Sequence, residues 1–127
     1  MSTPLEGYTY LASPYSHRDK DVMEQRFQLA EKHAAFMLTR GITIYSPIVH
    51  MHELALRYKL PKDFDFWRRH NHNMLWRAKD FHILTIDGWR SSKGVTGELA
   101  FAKWCEKKIF TVDLLSDPRD ATLLQLV

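Results

Sequence analysis

Cysteine is nearly absent from this chain: Cys105 is the only one. No internal disulfide can form, so packing must hold the fold, and a lone thiol points to the reducing conditions of the cytoplasm. Long hydrophobic runs are missing too. No stretch approaches the roughly 20 apolar residues that span a bilayer. The opening MSTPLEGYTY has neither the basic nor the apolar region of a signal peptide. Charge of one sign is not in large surplus: 18 Lys and Arg stand against 15 Asp and Glu, a formal net charge of +3. Acids are scattered among the basic residues, with no contiguous basic patch or nucleic-acid motif. That argues against a dedicated DNA or RNA binder and remains compatible with a phosphorylated small molecule. No linker, repeat or low-complexity tract divides the chain, so residues 1–127 read as one domain.

What is present is material for a core, 45% hydrophobic and 13% aromatic. YTYLAS (8–13) reads as a strand stopped by Pro14 and Ser16. From Asp19, with Asp19 or Asp21 as the cap, Val22, Met23, Phe27, Ala30, Ala34 and Met37 recur at helical spacing until Arg40 and Gly41. ITIY (42–45) is a short second strand. Ser46 and Pro47 open a helix to about Tyr58, and Pro61 ends its reach. Asp63 caps a further helix carrying Phe66, Trp67, Met74, Leu75 and Trp76. FHILTI (81–86) has the near-continuous apolar character of a central parallel strand. A helix from about Gly94 to Lys107 should turn Leu99, Ala100, Phe101 and Trp104 inward. KIFTVDLL (108–115) is a fourth strand, and DPRDATLLQLV opens like a helix, with Asp117 as N-cap and Pro118 next. This order predicts an α/β fold: a doubly wound, flavodoxin- or Rossmann-like three-layer sandwich with a parallel sheet of four or five strands.

In such sheets ligands sit outside the carboxyl ends of the strands. Here those ends are SPYS, SPIVH and DGWRSSKG, all small, polar or aromatic. The third runs into Glu98, near the start of a helix. An acid there complements the helix dipole, a sufficient structural reason for it. Its neighbours support a second reading. Gly94 and Gly97 leave room for a ligand, and the hydroxyls of Ser91 and Ser92 at a helix start offer an anion site. A carboxylate close to an anion site suits a phosphorylated sugar reacting through an oxocarbenium-like cation. Asp87 either meets a sugar hydroxyl or ends its strand with Gly88 as a turn. Trp89 either stacks on a base or packs on a neighbouring loop.

YLASPYS, DFHILTIDGW and SKGVTGELA together resemble the nucleoside 2-deoxyribosyltransferase-like superfamily, over nearly the whole chain by element order. The likeness is greatest to small bacterial and phage members with a GW, Ser-Gly and Glu signature. The superfamily also holds the 2′-deoxynucleoside 5′-monophosphate N-glycosidases. The resemblance implies cleavage or transfer at an N-glycosidic bond, with no metal or organic cofactor. By position, Glu98 matches the glutamate that attacks or stabilises the anomeric carbon, and Tyr10 a tyrosine hydrogen-bonded to it. Ser92 matches a serine that contacts the 5′-phosphate, where transferases usually carry an aspartate for the base. Ser13 and Ser16 fall in the loop that holds sugar or phosphate. The chain departs from the family at His72, eight residues before Asp80, where an aspartate usually stands. Either His72 takes over protonation of the leaving base, or the site binds without cleaving, as a nucleotide-binding or signalling module.

HMHE (50–53) and HNHN (70–73) suggest a metal, but alternate residues diverge by about 200° on a helix and both segments read as helical. No metal site is expected. Cys105 has no partner for nucleophilic chemistry in sequence and reads as packing. Phe64, Phe66, Trp67 and Trp76 crowd one helical segment and cannot all face one core. The family completes its sites from a neighbouring subunit. A homo-oligomer, joined through helices around 48–77, is therefore expected.

Overall fold

The computed structural model describes residues 5–124. Four strands, β1 (Thr9–Ala12), β2 (Ile44–Tyr45), β3 (Asp80–Leu84) and β4 (Lys108–Val112), run parallel, and β5 (Thr122–Leu123) lies antiparallel to β4. The spatial order is β2-β1-β3-β4-β5. Helices α1 (Lys20–Thr39), α2 (Pro47–Tyr58), α3 (Phe64–Trp76) and α4 (Lys93–Trp104) connect the parallel strands. This is the doubly wound α/β architecture expected from the alternation of strand and helix.

Capping chemistry sets the helix ends. The side chains of Asp19, Ser46, Asp63 and Ser92 each accept a backbone N–H from the first turn of α1, α2, α3 and α4. Gly41, at φ 78°, follows the last turn of α1 in the left-handed region that glycine enters without a Cβ penalty.

Strand alternation then sorts the core. Tyr10 and Ala12 of β1, Phe81 and Ile83 of β3 and Ile109 of β4 pack with Leu75 of α3 and Val95 and Ala102 of α4. Leu11, Leu84 and Val112 pack on the opposite face, where Leu29 of α1 covers them. A third cluster, Phe27, Ala30, Ile48, Met51, Ala55 and Trp67, joins α1, α2 and α3 beyond the strand ends. Two apolar faces on one sheet need helices on both sides, and the period of two in each strand supplies them.

Two expectations are corrected. The chain after Asp117 does not continue as a helix. The Asp117 carboxylate accepts the Arg119 N–H at 2.8 Å and pairs with its guanidinium, which turns the chain through a single 3-10 turn, Pro118–Asp120. Thr122 then pairs with Thr111, and the Leu124 N–H donates to Ile109 O at 2.7 Å. The open hydrogen-bonding edge of β4 and the β-branched Thr122 outweigh the helix-start signal of Asp-Pro. Residues 125–127 of the expected helix lie outside the described residues. The inward face of α4 is only partly the one expected. Leu99 and Phe101 pack against the core, but Val95, Glu98 and Ala102 are the buried residues, while Ala100 is exposed and Trp104 is 73% exposed. The inward stripe is centred on Glu98, which itself points inward.

Candidate active site

β1 sits between β2 and β3, and its neighbours are reached by crossovers leaving in opposite directions. That makes β1/β3 the switch point, the place where sheets of this kind bind their ligands at the carboxyl ends of the strands. The Tyr10 side chain points to the α4 side of the sheet and its hydroxyl donates to the Glu98 carboxylate. Asn71, buried on α3, lies close to Glu98 and lowers its pKa. The carboxylate is 4% exposed, and among the described residues it has neutral partners rather than a salt bridge. Burial pushes its pKa up to about 7, and Tyr10 and Asn71 only partly offset this. The Tyr10 hydroxyl is raised well above 10, first by burial and then by the Glu98 charge.

Two more hydroxyls lie in the same region. The Tyr45 ring is 5.7 Å from that of Tyr10, and its buried hydroxyl has no partner among the described residues. Burial and the charge of Glu98 raise its pKa. Ser13, at the end of β1, is buried and its Oγ is likewise unpartnered. Buried polar groups are usually satisfied, so each of these hydroxyls is a candidate partner for a polar ligand atom. Ser16, by contrast, is exposed, and its hydroxyl reaches Lys62 O only at 3.5 Å.

The loop between β3 and α4 is tightly held. Gly88 adopts φ 91°, and a Cβ there would lie 2.3 Å from a guanidinium nitrogen of Arg26. Arg26 also donates to Ser16 O at 3.0 Å. It therefore ties the loop after β1 to the loop after β3. Ser91 Oγ donates to Gly88 O at 3.3 Å. Ser92 Oγ accepts the Val95 N–H at 3.1 Å, which leaves its own hydrogen free for another acceptor. The first amides of α4, on Lys93 and Gly94, have no acceptor within the helix. A Cβ on Gly94 would make only ordinary contacts, at 3.8 Å and beyond.

Several sequence-predicted residues are placed differently. Gly97 does not leave room for a ligand, because a Cβ there would lie 2.4 Å from Cζ of Phe64. Its missing side chain lets α3 and α4 close. Trp89 is half-buried against the core, with the Arg90 guanidinium 4.8 Å above its ring. That is the packed reading. Asp87 is exposed and lines a hollow of about 440 Å³ with Val22, Gln25 and Arg26 of α1. His72 stacks on Phe101, ring centroids 4.0 Å apart, in a groove with Arg68, Arg69, Asn73 and Trp76 that does not include Glu98. Burial and then the Arg68 charge lower its pKa. Its neighbour Asn71 is the residue of α3 that lowers the Glu98 pKa.

Asn71, Arg26 and Tyr45 are thus site residues not singled out from the sequence. Asn71 carried a signal: it sits four residues after Trp67 and four before Leu75, all three on the buried stripe of α3. A polar residue at such a position needs a partner inside. The histidine pairs do diverge, with His50 and His70 exposed and His52 buried. Among the described residues no three His, Cys, Asp or Glu side chains gather to hold a metal. No helix among them is long and apolar enough to cross a membrane.

No curated protein matches the sequence. A family match does exist, and it spans the elements that surround the switch point, from the residues before β1 to those just after β4. The profile described as a domain of unknown function, DUF1937, covers residues 7–114, and the chain belongs to that family.

Proposed function

We propose that this chain cleaves, or transfers a group at, the N-glycosidic bond of a nucleoside 5′-monophosphate or nucleoside, with Glu98 at the anomeric carbon. The observation that carries the reading is the buried Glu98 carboxylate, hydrogen-bonded by Tyr10 of β1 with Asn71 nearby, at the β1/β3 switch point. Loss of a base leaves positive charge on C1′. In a low-dielectric site a fixed carboxylate stabilises that charge strongly, because it need not reorganise as the charge develops. Glu98 forms an ester with C1′ or stands as its counter-charge. Water then gives hydrolysis, and a second base gives transfer. The phosphate is received by the Ser92 hydroxyl and the first amides of α4, with Ser91, Lys93 and Arg26 nearby in sequence or loop contact. Ser13 supplies a hydroxyl to the sugar end.

One observation favours the rival reading, a non-catalytic nucleotide-binding or signalling module. His72, the proton donor expected from the sequence, lines another groove. Incubation with deoxynucleoside monophosphates and nucleosides, followed by chromatography for free base, tests the two. Release of base that Glu98→Gln abolishes supports catalysis. Tight binding in calorimetry with no base released supports the module.

We also propose a homo-oligomer. Trp76 is 54% exposed and lies 6.3 Å from the exposed Trp104, so α3 and α4 together present an aromatic surface. Large apolar patches of this kind commonly mark contact faces.

A further inference from the structure

The loop after β1 carries a second polar assembly that the reading above leaves idle. The Tyr15 hydroxyl lies 2.6 Å from Nδ1 of His52, and Nε2 of the same ring lies 2.7 Å from a carboxylate oxygen of Glu24. Loop, α2 and α1 each supply one group. Phe27 stacks on the imidazole with centroids 4.2 Å apart, and the Tyr15 ring meets it edge-on at 5.5 Å. These contacts fix the plane of the imidazole. His52 is 3% exposed, whereas the Glu24 side chain is 47% exposed. The chain of bonds therefore leads from solvent to the interior. At its inner end Tyr15 lines a small cavity of about 40 Å³ together with Asn71, Phe64 and Trp67. Asn71 also lies close to Glu98 and lowers its pKa. The inner end of this chain and the carboxylate therefore share one neighbour, the Asn71 amide.

A buried histidine needs only one donor and one acceptor bond to be satisfied. Here both nitrogens meet groups that themselves exchange protons, which is the arrangement of a relay rather than a simple brace. Burial, and then the Glu24 charge, push the Tyr15 hydroxyl up to about 12, so it holds its proton at neutral pH. Departing bases need a proton, and His72 lies in another groove.

Resting on the N-glycoside reading, we propose that Tyr15 is the acid that protonates the leaving base, with His52 re-supplying its proton and Glu24 positioning His52. As the C1′–N bond breaks, its electron pair stays on the base nitrogen, which takes the phenolic proton. Nδ1–H of a protonated His52 passes its proton to the phenolate oxygen, and Nε2–H continues to donate to Glu24. Glu98 takes C1′ as an ester. Water then displaces Glu98 and leaves a hydroxyl on C1′; its other proton goes to the Tyr15 oxygen, whose own proton returns to Nδ1 of His52, so the cycle balances while Nε2–H stays on Glu24.

The test compares two substrates on the full chain: a deoxynucleoside 5′-monophosphate, and a 4-nitrophenyl 2-deoxyriboside 5-phosphate whose leaving group departs without protonation. Tyr15→Phe and His52→Gln should lower kcat on the nucleotide by roughly 100-fold or more, the usual scale of a lost general acid, and far less on the aryl glycoside. Glu24→Gln, at the exposed end, should show the same preference in milder form. Equal losses on both substrates would mean that the trio only braces the loop, and would overturn the relay while leaving the Glu98 reading intact. Turnover of neither substrate by the unsubstituted chain would overturn both together. If the two interior variants do not fold, Glu24→Gln decides by the same comparison: a loss confined to the nucleotide supports the relay, and an equal loss or none refutes it.

Discussion

Glu98→Gln should stabilise the folded chain at about pH 8 far more than at about pH 4. The reason is the burial of its charge. In the fold the Glu98 carboxyl titrates at about 7, against 4.5 when unburied. Between those values the folded chain binds a proton that the unfolded chain has released, so wild-type stability falls as pH rises through this window. A gap of between two and three pKa units, at 1.36 kcal/mol each, makes the full cost about 3 kcal/mol above pH 7. Below about pH 4.5 the cost vanishes, because both states are protonated. Glutamine keeps the shape and an acceptor for Tyr10 but has no charge to bury. His33 works in the opposite sense: burial and its neighbour His82 hold it down to about 4, so it destabilises the fold as pH falls from 6.5. That term is common to both proteins and cancels in the difference. The assay is urea unfolding of both proteins across the range, followed by fluorescence of the buried Trp67. The stability difference should widen by about 3 kcal/mol from the acid to the alkaline end. A constant offset would show that Glu98 bears no unpaired buried charge, and the electrostatic argument for its role would go with it.

Base release should rise with pH through an apparent pKa near 7, as the Glu98 carboxyl ionises, and Glu98→Gln should lower it by orders of magnitude; a flat profile in kcat/KM counts against the assignment. A nucleoside should bind at least about tenfold more weakly than its 5′-monophosphate, since charge-assisted bonds to phosphate contribute roughly 1.5–3 kcal/mol each. Ser92→Ala should narrow that gap in calorimetry, and equal affinities in the unsubstituted chain would return a free nucleoside to first place. Gly97→Ala places a methyl 2.4 Å from the Phe64 ring and should cost about 1–3 kcal/mol in thermal or urea unfolding. Phe64→Leu in the same chain should recover part of that loss; a neutral Gly97→Ala would show that α3 and α4 are not held closely. Light scattering at micromolar concentration should report at least twice the 15.0 kDa chain mass, and a monomer throughout would remove the oligomer proposal.

The helices were legible because their ends are written in side chains. Asp19, Ser46, Asp63 and Ser92 cap in the fold; Ser46 and Asp63 were read as helix starts from the sequence, and Asp19 as one of two candidates with Asp21. The parallel sheet follows from the alternation of strand and helix, whereas the order β2-β1-β3-β4-β5 is seen only in the fold. The meeting of Tyr10 with Glu98 was reached through family resemblance, since nothing in spacing alone brings residues 88 positions apart together. What stayed hidden depends on rotation about a helix axis. His72 and Asn71 differ by one residue, about 100° around α3, and only the packed partner decides which of them faces Glu98. Trp104 read as inward because of its helical spacing, yet the inward stripe of α4 runs through Val95, Glu98 and Ala102. A carboxylate inside that stripe displaces the apparent phase. Tyr15, His52 and Glu24 are separated by loops and helices, and no local pattern announces a three-part contact.

The two-residue strand β5 bears on how copies of this chain can meet. By lying antiparallel along β4, it occupies the hydrogen-bonding rim of that strand. At the far side of the sheet, β2 pairs through only two residues before Ser46 and Pro47 turn the chain into α2. Neither border is then a long, flat template onto which a strand from another molecule can be laid down. Growth of the sheet from one molecule into the next is blocked at one border by a strand already in place and at the other by brevity. Self-association of the native chain is thereby steered away from ribbon-like stacking, towards side-chain packing between helices, where a contact can be closed, finite and symmetric.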